Sequence, residues 1–551
     1  MRQRISIFGL KRVNRWVRRA SVSDARGNAD SQNGVRSLYP RVARCLGRGR
    51  HGIGAANTLF VLVAACVGLV GCGGQPAASA KAKPRPVAKK PTRTDKPVAI
   101  AEASVTPSAR GEPDEADVTP ANVGGTPFRP PLLPDDDRPR PDVDSLGLKG
   151  IRCFESKRLR LYTDLPEDLA ATLPPLADRL HETLEAYFGP LPSMPGGGSF
   201  QVNGYLMRDR SRFDATGLVP FDLPQIQHGR HRGYEFWMND QTSDYYRRHL
   251  LLHEFTHCFM TITPHPLRLR PWYIEGMAER FATHVVNDAD APARFDVFPS
   301  GPDLFEGWGR VQLVREAIRA GEPRTAPEVF AMAGADFATD NRLYAWSWAM
   351  CRFLEDHPLS RERFRQVSRV VDPDDPDRSF VRVFREVEAE LAQDWWLFAH
   401  HLCHGFDLER AATLFSKDPP QDGGGPIVVS VRADRGWQGS GSRVEKGRRY
   451  RVRAEGRSVL ATTTKPWASE PDGVSIRYNE GRPIGRLLGT VRPESEGRGP
   501  RPVGMLDEIS LGSATEFTAP RTGTLYLRVN DFWNELADNM GEYTVSLEPA
   551  E

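Results

Sequence analysis

Two histidines and a glutamate stand at a spacing that suits metal-assisted hydrolysis. They are His253, Glu254 and His257, within the segment LHEFTH. Helical residues four apart lie one turn from each other on the same face, so both imidazoles can reach one tetrahedral Zn²⁺. The carboxylate of Glu254 can take a proton from a metal-bound water. The pattern predicts a zinc site with Glu254 as its general base, and the alternative is a helix with two unrelated histidines.

A zinc site with two histidines needs a third protein ligand. The segment WYIEGMAE, residues 272–279, follows a loop between two prolines and carries Glu275 and Glu279. Glu275 lies 18 residues after His257. Glu279 falls one helical turn after Glu275, where it can hydrogen-bond a ligating histidine from outside the coordination sphere. Glu275 is the predicted ligand, and Glu279 is the alternative for that role.

The segments HEFTH and WYIEGMAE resemble the H-E-x-x-H and W-x-x-E-G-x-A-E patterns of gluzincin metallopeptidases of the peptidase MA-like kind. The resemblance extends over about residues 151–404. It implies a zincin-like fold that binds Zn²⁺ through His253, His257 and Glu275. It also implies hydrolysis of peptide bonds with Glu254 as general base.

Two further features of the site follow from this resemblance. Gluzincins place a Tyr or His near the substrate carbonyl to stabilise the oxyanion. Tyr344, which opens a predicted helix, is the candidate for that catalytic role, and a place in an amphipathic core fits it equally well. Zincins also carry an edge strand before the zinc helix, where an extended peptide can pair with the backbone. Residues 233–238 are predicted to take that place, although a buried strand would have the same sequence pattern.

Hydrophobic periodicity predicts the elements that position these residues. Residues 151–162, 199–207 and 233–238 alternate as strands, and leucines at fourfold spacing predict a helix within 167–188. Further helices are predicted over residues 243–262, 272–286, 309–320, 344–356 and 380–401. Strands followed by helices indicate the α+β class, so we predict a zincin-like α+β catalytic domain over residues 146–418.

A second domain follows a break rich in Pro and Gly. Short alternating segments separated by turns predict an all-β sandwich over residues 426–549. Asp531, Asp538 and Asn539 bring oxygen ligands to one of its loops, which suits Ca²⁺. The pattern resembles the β-sandwich of the calcium-dependent galactophilic bacterial lectin. That resemblance implies a calcium site on these three residues and a glycan as candidate partner, whereas the alternative is a turn stabilised by its own polar side chains.

The chain before residue 146 has the composition of an export signal and a spacer. Residues 1–50 hold 13 Arg and Lys against two Asp, and residues 55–71 are apolar and uncharged. The run LVGC, ending at Cys72, resembles a bacterial lipobox. It implies removal of residues 1–71 and a lipid on Cys72 that anchors the chain to a membrane, and the alternative is an uncleaved anchor. Residues 72–145 are rich in Pro, Ala and charge and are predicted to form a disordered tether.

The charge distribution changes the meaning of the basic pI of about 8.4. Subtracting the +11 of residues 1–50 from the formal +3 of the whole chain leaves −8 on the predicted mature chain. The basic pI therefore indicates export, and nucleic acid is excluded as a partner. Four cysteines remain outside the export segment and allow three pairings into two disulfides: Cys153, Cys258, Cys351 and Cys403.

Together these features predict a lipid-anchored zinc metallopeptidase of the bacterial cell envelope. Its substrate would be a peptide or protein, and the C-terminal domain would bind a surface or a glycan. The alternative is a non-catalytic, zinc-stabilised adhesion or carbohydrate-binding lipoprotein.

Overall fold

The computed structural model describes residue 136 and residues 138–550, with gaps at 193, 195–199, 224–225, 263–269, 287–291, 306–308, 371–374, 417–420, 423–425, 462–465 and 495–504. The predicted export signal, Cys72 and most of the predicted tether lie outside the described residues. None of the helices within the described ranges is both long and apolar enough to cross a membrane.

A mixed five-stranded sheet begins the α+β part of the chain. Its strands are β1 (Arg152–Glu155), β2 (Leu159–Thr163), β3 (Val202–Met207), β4 (Gly229–Arg232) and β5 (Glu235–Asn239), in the spatial order β1-β2-β3-β5-β4. The central strands β2, β3 and β5 are parallel and mostly buried, whereas β1 and β4 pair antiparallel at the two edges. Such runs of buried residues are typical of parallel strands covered on both faces.

The helices make up most of the rest of this part. In chain order they are α1 (Val143–Leu148), α2 (Glu167–Ala170), α3 (Leu173–Phe188), α4 (Arg210–Ala215), α5 (Asp244–Ile262), α6 (Pro271–Ala282), α7 (Arg310–Arg319), α8 (Ala326–Phe330), α9 (Arg342–Asp356), α10 (Arg361–Val370), α11 (Pro376–Phe384), α12 (Glu388–His401) and α13 (Leu408–Ala411). A short hairpin of β6 (His284–Val285) and β7 (Arg294–Phe295) follows α6.

The order of strands before helices confirms the predicted α+β pattern, with some boundaries moved. The predicted helix at 167–188 is two helices, because prolines at the first turn of α3 start a new helix there. The predicted strand at 151–162 is the hairpin of β1 and β2, and the predicted helix at 380–401 is divided between α11 and α12. The helix α1 lies across the predicted start of the domain at residue 146.

Two hydrophobic cores lie on opposite faces of the sheet. One face packs against α3, α5 and the later helices in the main core. On the other face Tyr162, Tyr205 and Trp237 stack across β2, β3 and β5, with ring centroids 5.3 and 5.2 Å apart. The sheet is therefore packed on both faces, and one of these faces holds α5 in place.

A buried ionic network fixes α6 against α9. Arg280 of α6 is 1% exposed, and its guanidinium donates to Glu355 of α9 at 3.1 Å and to Asp296 at 2.6 Å. Removing one partner of a buried pair costs about 3–5 kcal/mol, so this network holds the orientation of α6 strongly.

The C-terminal residues form a β-rich module of two main sheets that share one core. Its strands are β8 (Gln421–Asp422), β9 (Ile427–Arg432), β10 (Gln438–Val444), β11 (Arg449–Leu460), β12 (Trp467–Ser469), β13 (Asp472–Asn479), β14 (Arg482–Pro493), β15 (Ile509–Ser510), β16 (Ala514–Thr518), β17 (Gly523–Val529) and β18 (Met540–Pro549). One sheet has the order β13-β14-β17-β10-β8 with β15 on β14, and the other has the order β12-β11-β18-β9 with β16 on β11. We call residues 421–549 the β module.

The β module contacts the α+β part through the loop between β17 and β18. Trp533 of this loop is 6% exposed and stacks on Phe406, with ring centroids 5.9 Å apart. The backbone N–H of Asp407 donates to the carbonyl oxygen of Trp533 at 3.1 Å. Beside it, Nδ1 of His401 lies 3.0 Å from Oε1 of Glu480. An aromatic side chain, a backbone hydrogen bond and a side-chain hydrogen bond thus join the two parts.

Candidate metal centre

The helix α5 carries the histidine pair through the interior of the protein. It is buried on nearly all sides, because Leu251, Leu252, Phe255 and other apolar residues cover most of its surface. A helix with buried residues on nearly all of its faces lies in a core, so the polar side chains on it are removed from water as well. His253 and His257 are 5% and 3% exposed. Groups buried this deeply need partners.

The partners come from α6, which begins at Pro271 and carries both predicted glutamates. The Nε2 atoms of His253 and His257 lie 3.0 Å apart. Oε2 of Glu275 lies 3.3 Å from Nε2 of His253 and 3.2 Å from Nε2 of His257. The two imidazole nitrogens and the carboxylate oxygen thus lie within 3.3 Å of one another.

These three separations fit a tetrahedral zinc site. With metal–ligand bonds of about 2.0–2.1 Å and tetrahedral angles, neighbouring ligand atoms stand about 3.3 Å apart. The measured separations of 3.0, 3.2 and 3.3 Å are close to that edge length. Two imidazole nitrogens and one carboxylate oxygen are also ligands that Zn²⁺ accepts in catalytic sites. The residues present therefore fit a zinc ion.

The same closeness sets the protonation of these groups. Burial favours the neutral ring of His253, but the adjacent Glu275 and Glu279 raise the pKa of that ring to about 10. Burial lowers the pKa of His257. Burial would raise the pKa of Glu275, yet the two histidines hold that pKa below its usual range. The glutamate is therefore an anion at neutral pH and can face a cation.

Glu279 lies behind the histidine pair. Its Oε1 is 3.2 Å from Nδ1 of His253, the ring nitrogen that faces away from His257. Arg310, the first residue of α7, donates to both carboxylate oxygens at 2.7 and 2.6 Å. His249 is buried on α5 and lies 3.2 Å from Oε2 of Glu279. Glu279 thus orients His253 and is itself oriented by an arginine.

This arrangement separates the two glutamates that the sequence leaves as alternatives. Among the described residues, His249, His253 and Glu279 form a second group of three atoms close enough to hold a metal. The guanidinium of Arg310 already provides the positive charge beside that carboxylate. Burial opposes ionisation of Glu279, but Arg310 and His249 hold its pKa well below the usual range. The geometry therefore favours Glu275 as the metal ligand.

Glu254 faces the edge of the sheet. A Cβ atom on Gly229 of β4 would lie 2.4 Å from Oε1 of Glu254, so a side chain there would overlap the carboxylate in its present position. Oε2 of Glu254 is buried and has no hydrogen-bond partner among the described residues. The ring nitrogen Nδ1 of His231 lies 3.6 Å from that oxygen. This oxygen is available to accept a proton from a water molecule.

Tyr344 lies at the first turn of α9, on the other side of His253. Their ring centroids are 6.1 Å apart, and the guanidinium carbon of Arg310 lies 5.6 Å from the tyrosine ring. Burial, with the negative charges of Glu275 and Glu279, raises the pKa of Tyr344 above its usual range. Tyr344 also packs edge-on against Phe337, so the oxyanion role and the packing role are both compatible with its position.

The edge strand differs from the prediction. Residues 235–239 form β5, which lies between β3 and β4 and has both of its edges paired. The edge position next to the site belongs to β4, residues 229–232. The apolar composition of 233–238 is that of an internal strand, whereas β4 is half exposed and basic. No pattern in the sequence pointed to His231 or Gly229 of this strand.

The remaining cysteines and the C-terminal loop are placed as follows. Cys153, Cys258, Cys351 and Cys403 are all free. In the loop after β17, Nδ2 of Asn539 donates to Oδ2 of Asp531 at 2.9 Å, while Oδ1 of Asn539 is buried without a hydrogen-bond partner among the described residues. Asp538 is partly buried in a short 3₁₀ turn beside them. Burial raises the pKa of Asp531 to about 6.

Comparison with known proteins gives little. No family model matches the chain, and no curated protein matches it. A solved structure described as "EclA N-terminal domain; PllA-like lectin" is 19% identical with a TM-score of 0.18, over 22% of this chain and 96% of that chain. A structure described as "Bacillus endospore appendages form a novel family of disulfide-linked pili" is 11% identical with a TM-score of 0.10, over 25% of this chain and 100% of that chain. At these TM-scores neither carries an argument.

Proposed function

We propose that this chain is a zinc-dependent peptidase of the gluzincin type. The convergence of His253, His257 and Glu275 within 3.0–3.3 Å of one another, with Glu254 beside them, is the observation that carries the proposal. The composition of the site supports it further, since three protein ligands leave a position open for a water or a substrate.

Each residue has a distinct role in this proposal. His253, His257 and Glu275 would hold the zinc ion, and Glu279 keeps the ring of His253 in the orientation that points Nε2 at the ion. A bound zinc ion supplies Lewis acidity, which polarises a carbonyl group and makes a water more acidic. Glu254 takes a proton from the attacking water and delivers it to the leaving nitrogen. The unpartnered Oε2 of Glu254 is the atom suited to that transfer.

The test replaces Glu254 with glutamine, which keeps the size of the side chain and removes the proton acceptor. We expect Glu254→Gln to bind zinc with unchanged stoichiometry and to lose at least about 100-fold in kcat. The assay is cleavage of a peptide library with and without a chelator, together with metal analysis of the purified protein. Glu362→Gln, an exposed glutamate on α10, is the control and should keep full activity. Undiminished cleavage by Glu254→Gln contradicts the proposed mechanism.

The same experiment decides against the non-catalytic alternative. A zinc-stabilised adhesion protein would lose thermal stability with the chelator but would show no hydrolysis in either state. Chelator-sensitive cleavage in the wild-type chain, lost in Glu254→Gln, is expected only of an enzyme.

We further propose that the chain is anchored by a lipid on Cys72 at the cell envelope, and that its β module binds calcium and a surface or glycan. The support for the anchor is the lipobox-like segment before Cys72. The support for calcium is the meeting of Asp531 and Asn539, where a buried amide oxygen has no protein partner among the described residues. Mass spectrometry of the protein from membranes checks the anchor, since a diacylglyceryl group on Cys72 is expected.

A further inference from the structure

The edge strand β4 presents two residues to the proposed catalytic carboxylate. Gly229 and His231 are two apart and therefore point to the same face of the strand. Gly229 leaves space for Oε1 of Glu254, because any side chain there would overlap it. His231 stands beside Oε2, the other oxygen of the same carboxylate. On one face of β4, Gly229 thus leaves space for the carboxylate of Glu254 and His231 contacts it.

The imidazole of His231 also contacts a proposed zinc ligand. Its ring stacks on His257 with centroids 4.3 Å apart and an angle of 23° between the planes. The two ligand rings are supported differently. Oε1 of Glu279 lies 3.2 Å from Nδ1 of His253, whereas the carboxylate that pairs with His257, that of Glu275, lies at the other ring nitrogen, Nε2. The stacked ring of His231 is a further contact that holds the ring of His257.

The exposure of His231 separates it from a core histidine. Its side chain is 33% exposed, while Glu254 is 6% exposed. One side of the ring therefore lies against the buried site and the other faces solvent. Packing alone does not require a ring nitrogen 3.6 Å from a carboxylate oxygen that has no hydrogen-bond partner among the described residues.

We propose that His231 is a positioning residue that acts through Glu254. This inference rests on the proposed function. The imidazole limits rotation of the carboxylate on the side of Oε2, and its Nδ1, at 3.6 Å, is close enough to donate a hydrogen bond after a small closure. Catalytic hydrogen bonds are often long in a ligand-free site and shorten when substrate binds. Because each carboxylate oxygen has two lone pairs, Oε2 can accept from His231 and keep its second lone pair for the proton of the attacking water.

The test uses two replacements of His231 and one control. His231→Phe keeps a flat ring for stacking on His257 and removes Nδ1. His231→Asn restores a polar atom near the position of Nδ1 without the ring. His228→Phe is the control, because His228 is an exposed histidine that precedes the same strand. For each variant we would measure kcat, KM and zinc affinity by competition with a chelator.

A positioning role predicts a specific pattern. Misplacement of a catalytic group by about 1 Å can cost about 100-fold, so we expect His231→Phe to lower kcat by about 10- to 100-fold. KM and zinc affinity should stay within about threefold, and His231→Asn should recover part of the lost kcat. An unchanged kcat in His231→Phe, an equal loss in His228→Phe, or loss of zinc together with kcat overturns the inference.

A second measurement does not depend on turnover. Acetohydroxamate binds zinc through two oxygens and can donate a hydrogen bond to the adjacent carboxylate. We expect zinc-loaded His231→Phe to bind acetohydroxamate about tenfold more weakly than the wild type, by calorimetry, and unchanged affinity overturns the role of His231. Absence of peptide cleavage by the wild type would contradict the proposed function and leave this measurement to decide on His231.

Discussion

Replacing Arg310 with methionine tests how a residue outside the proposed zinc site supports that site. Arg310 does not reach the proposed zinc position but donates two hydrogen bonds to Glu279, at 2.7 and 2.6 Å. It is the first residue of α7, where the helix dipole disfavours a positive charge by about 0.3–1 kcal/mol. Its pairing with a carboxylate that is 2% exposed offsets that cost. Methionine keeps much of the side-chain volume and removes the charge.

The magnitude has two parts. Breaking a buried ion pair leaves Glu279 as an uncompensated buried charge, which costs about 3–5 kcal/mol of stability. The pKa of Glu279 then rises, because only His249 and His253 remain to counteract the effect of burial on that pKa. A protonated Glu279 is a weaker acceptor beside Nδ1 of His253, and loss of such a partner costs about 10- to 100-fold in metal affinity. That corresponds to about 1.4–2.7 kcal/mol.

The assay is zinc affinity by chelator competition, with urea unfolding of the zinc-loaded and chelated protein. Arg342→Met is the control, because Arg342 is 45% exposed in its pairs with Asp340 and Glu322 and should contribute about 0–1 kcal/mol. The double variant Arg310→Met with Glu279→Gln removes both charges, so it should recover stability without recovering zinc affinity. Zinc affinity in Arg310→Met within twofold of the wild type would refute the reasoning.

Two further predictions concern the β module. Burial raises the pKa of Asp531 to about 6 from 3.8, so its folded state binds the proton more tightly than the unfolded chain. The contribution of Asp531 to the free energy of unfolding is therefore fully present below about pH 4 and is lost as the pH rises to about 6. By urea unfolding without calcium, Asp531→Asn should be more stable than the wild type by about 3 kcal/mol at pH 8 and equally stable at pH 4. Added calcium should reverse the order at pH 8, and no effect of calcium on the wild type removes the calcium site. Trp533→Ala should cost about 3–5 kcal/mol and separate the unfolding of the two parts in calorimetry, since the ring is 6% exposed against Phe406. Trp467→Ala is the control and should leave one transition, because Trp467 is only partly buried and lies on strand β12, away from the loop of Trp533.

The helix of the histidine pair could be predicted because its information is local. The predicted helix at 243–262 is confirmed as Asp244–Ile262, since one continuous segment of helix-compatible residues contains the whole motif. The pairing of His253 and His257 on one face follows from helical geometry alone. The spacing of Glu275 crosses a loop, so the sequence left two glutamates as candidates. Only the three-dimensional arrangement brings Arg310 to Glu279 and Glu275 to the histidine nitrogens.

The edge of the sheet could not be predicted in the same way. The strand β4 is four residues long, basic and half exposed, so it lacks the apolar alternation by which strands are recognised. Its contact with Glu254 joins a strand to a helix after an intervening strand, and no local pattern encodes that contact. The available signal was a glycine and a histidine two residues apart, before the helix of the histidine pair. Their place beside Glu254 becomes evident only from the structure, in which β5 is internal and β4 lies at the edge of the sheet.

The loop between β17 and β18 limits what the resemblance to a lectin can imply. Asp531 and Asn539 meet as that resemblance expects, but Trp533 between them is buried against the α+β part. A loop held on a neighbouring part of the chain is not open to a ligand on that side. An ion bound by Asp531 and Asn539 would therefore stabilise the contact between the two parts as well as the loop. For this reason calcium should act on the unfolding of the whole chain and not on the β module alone.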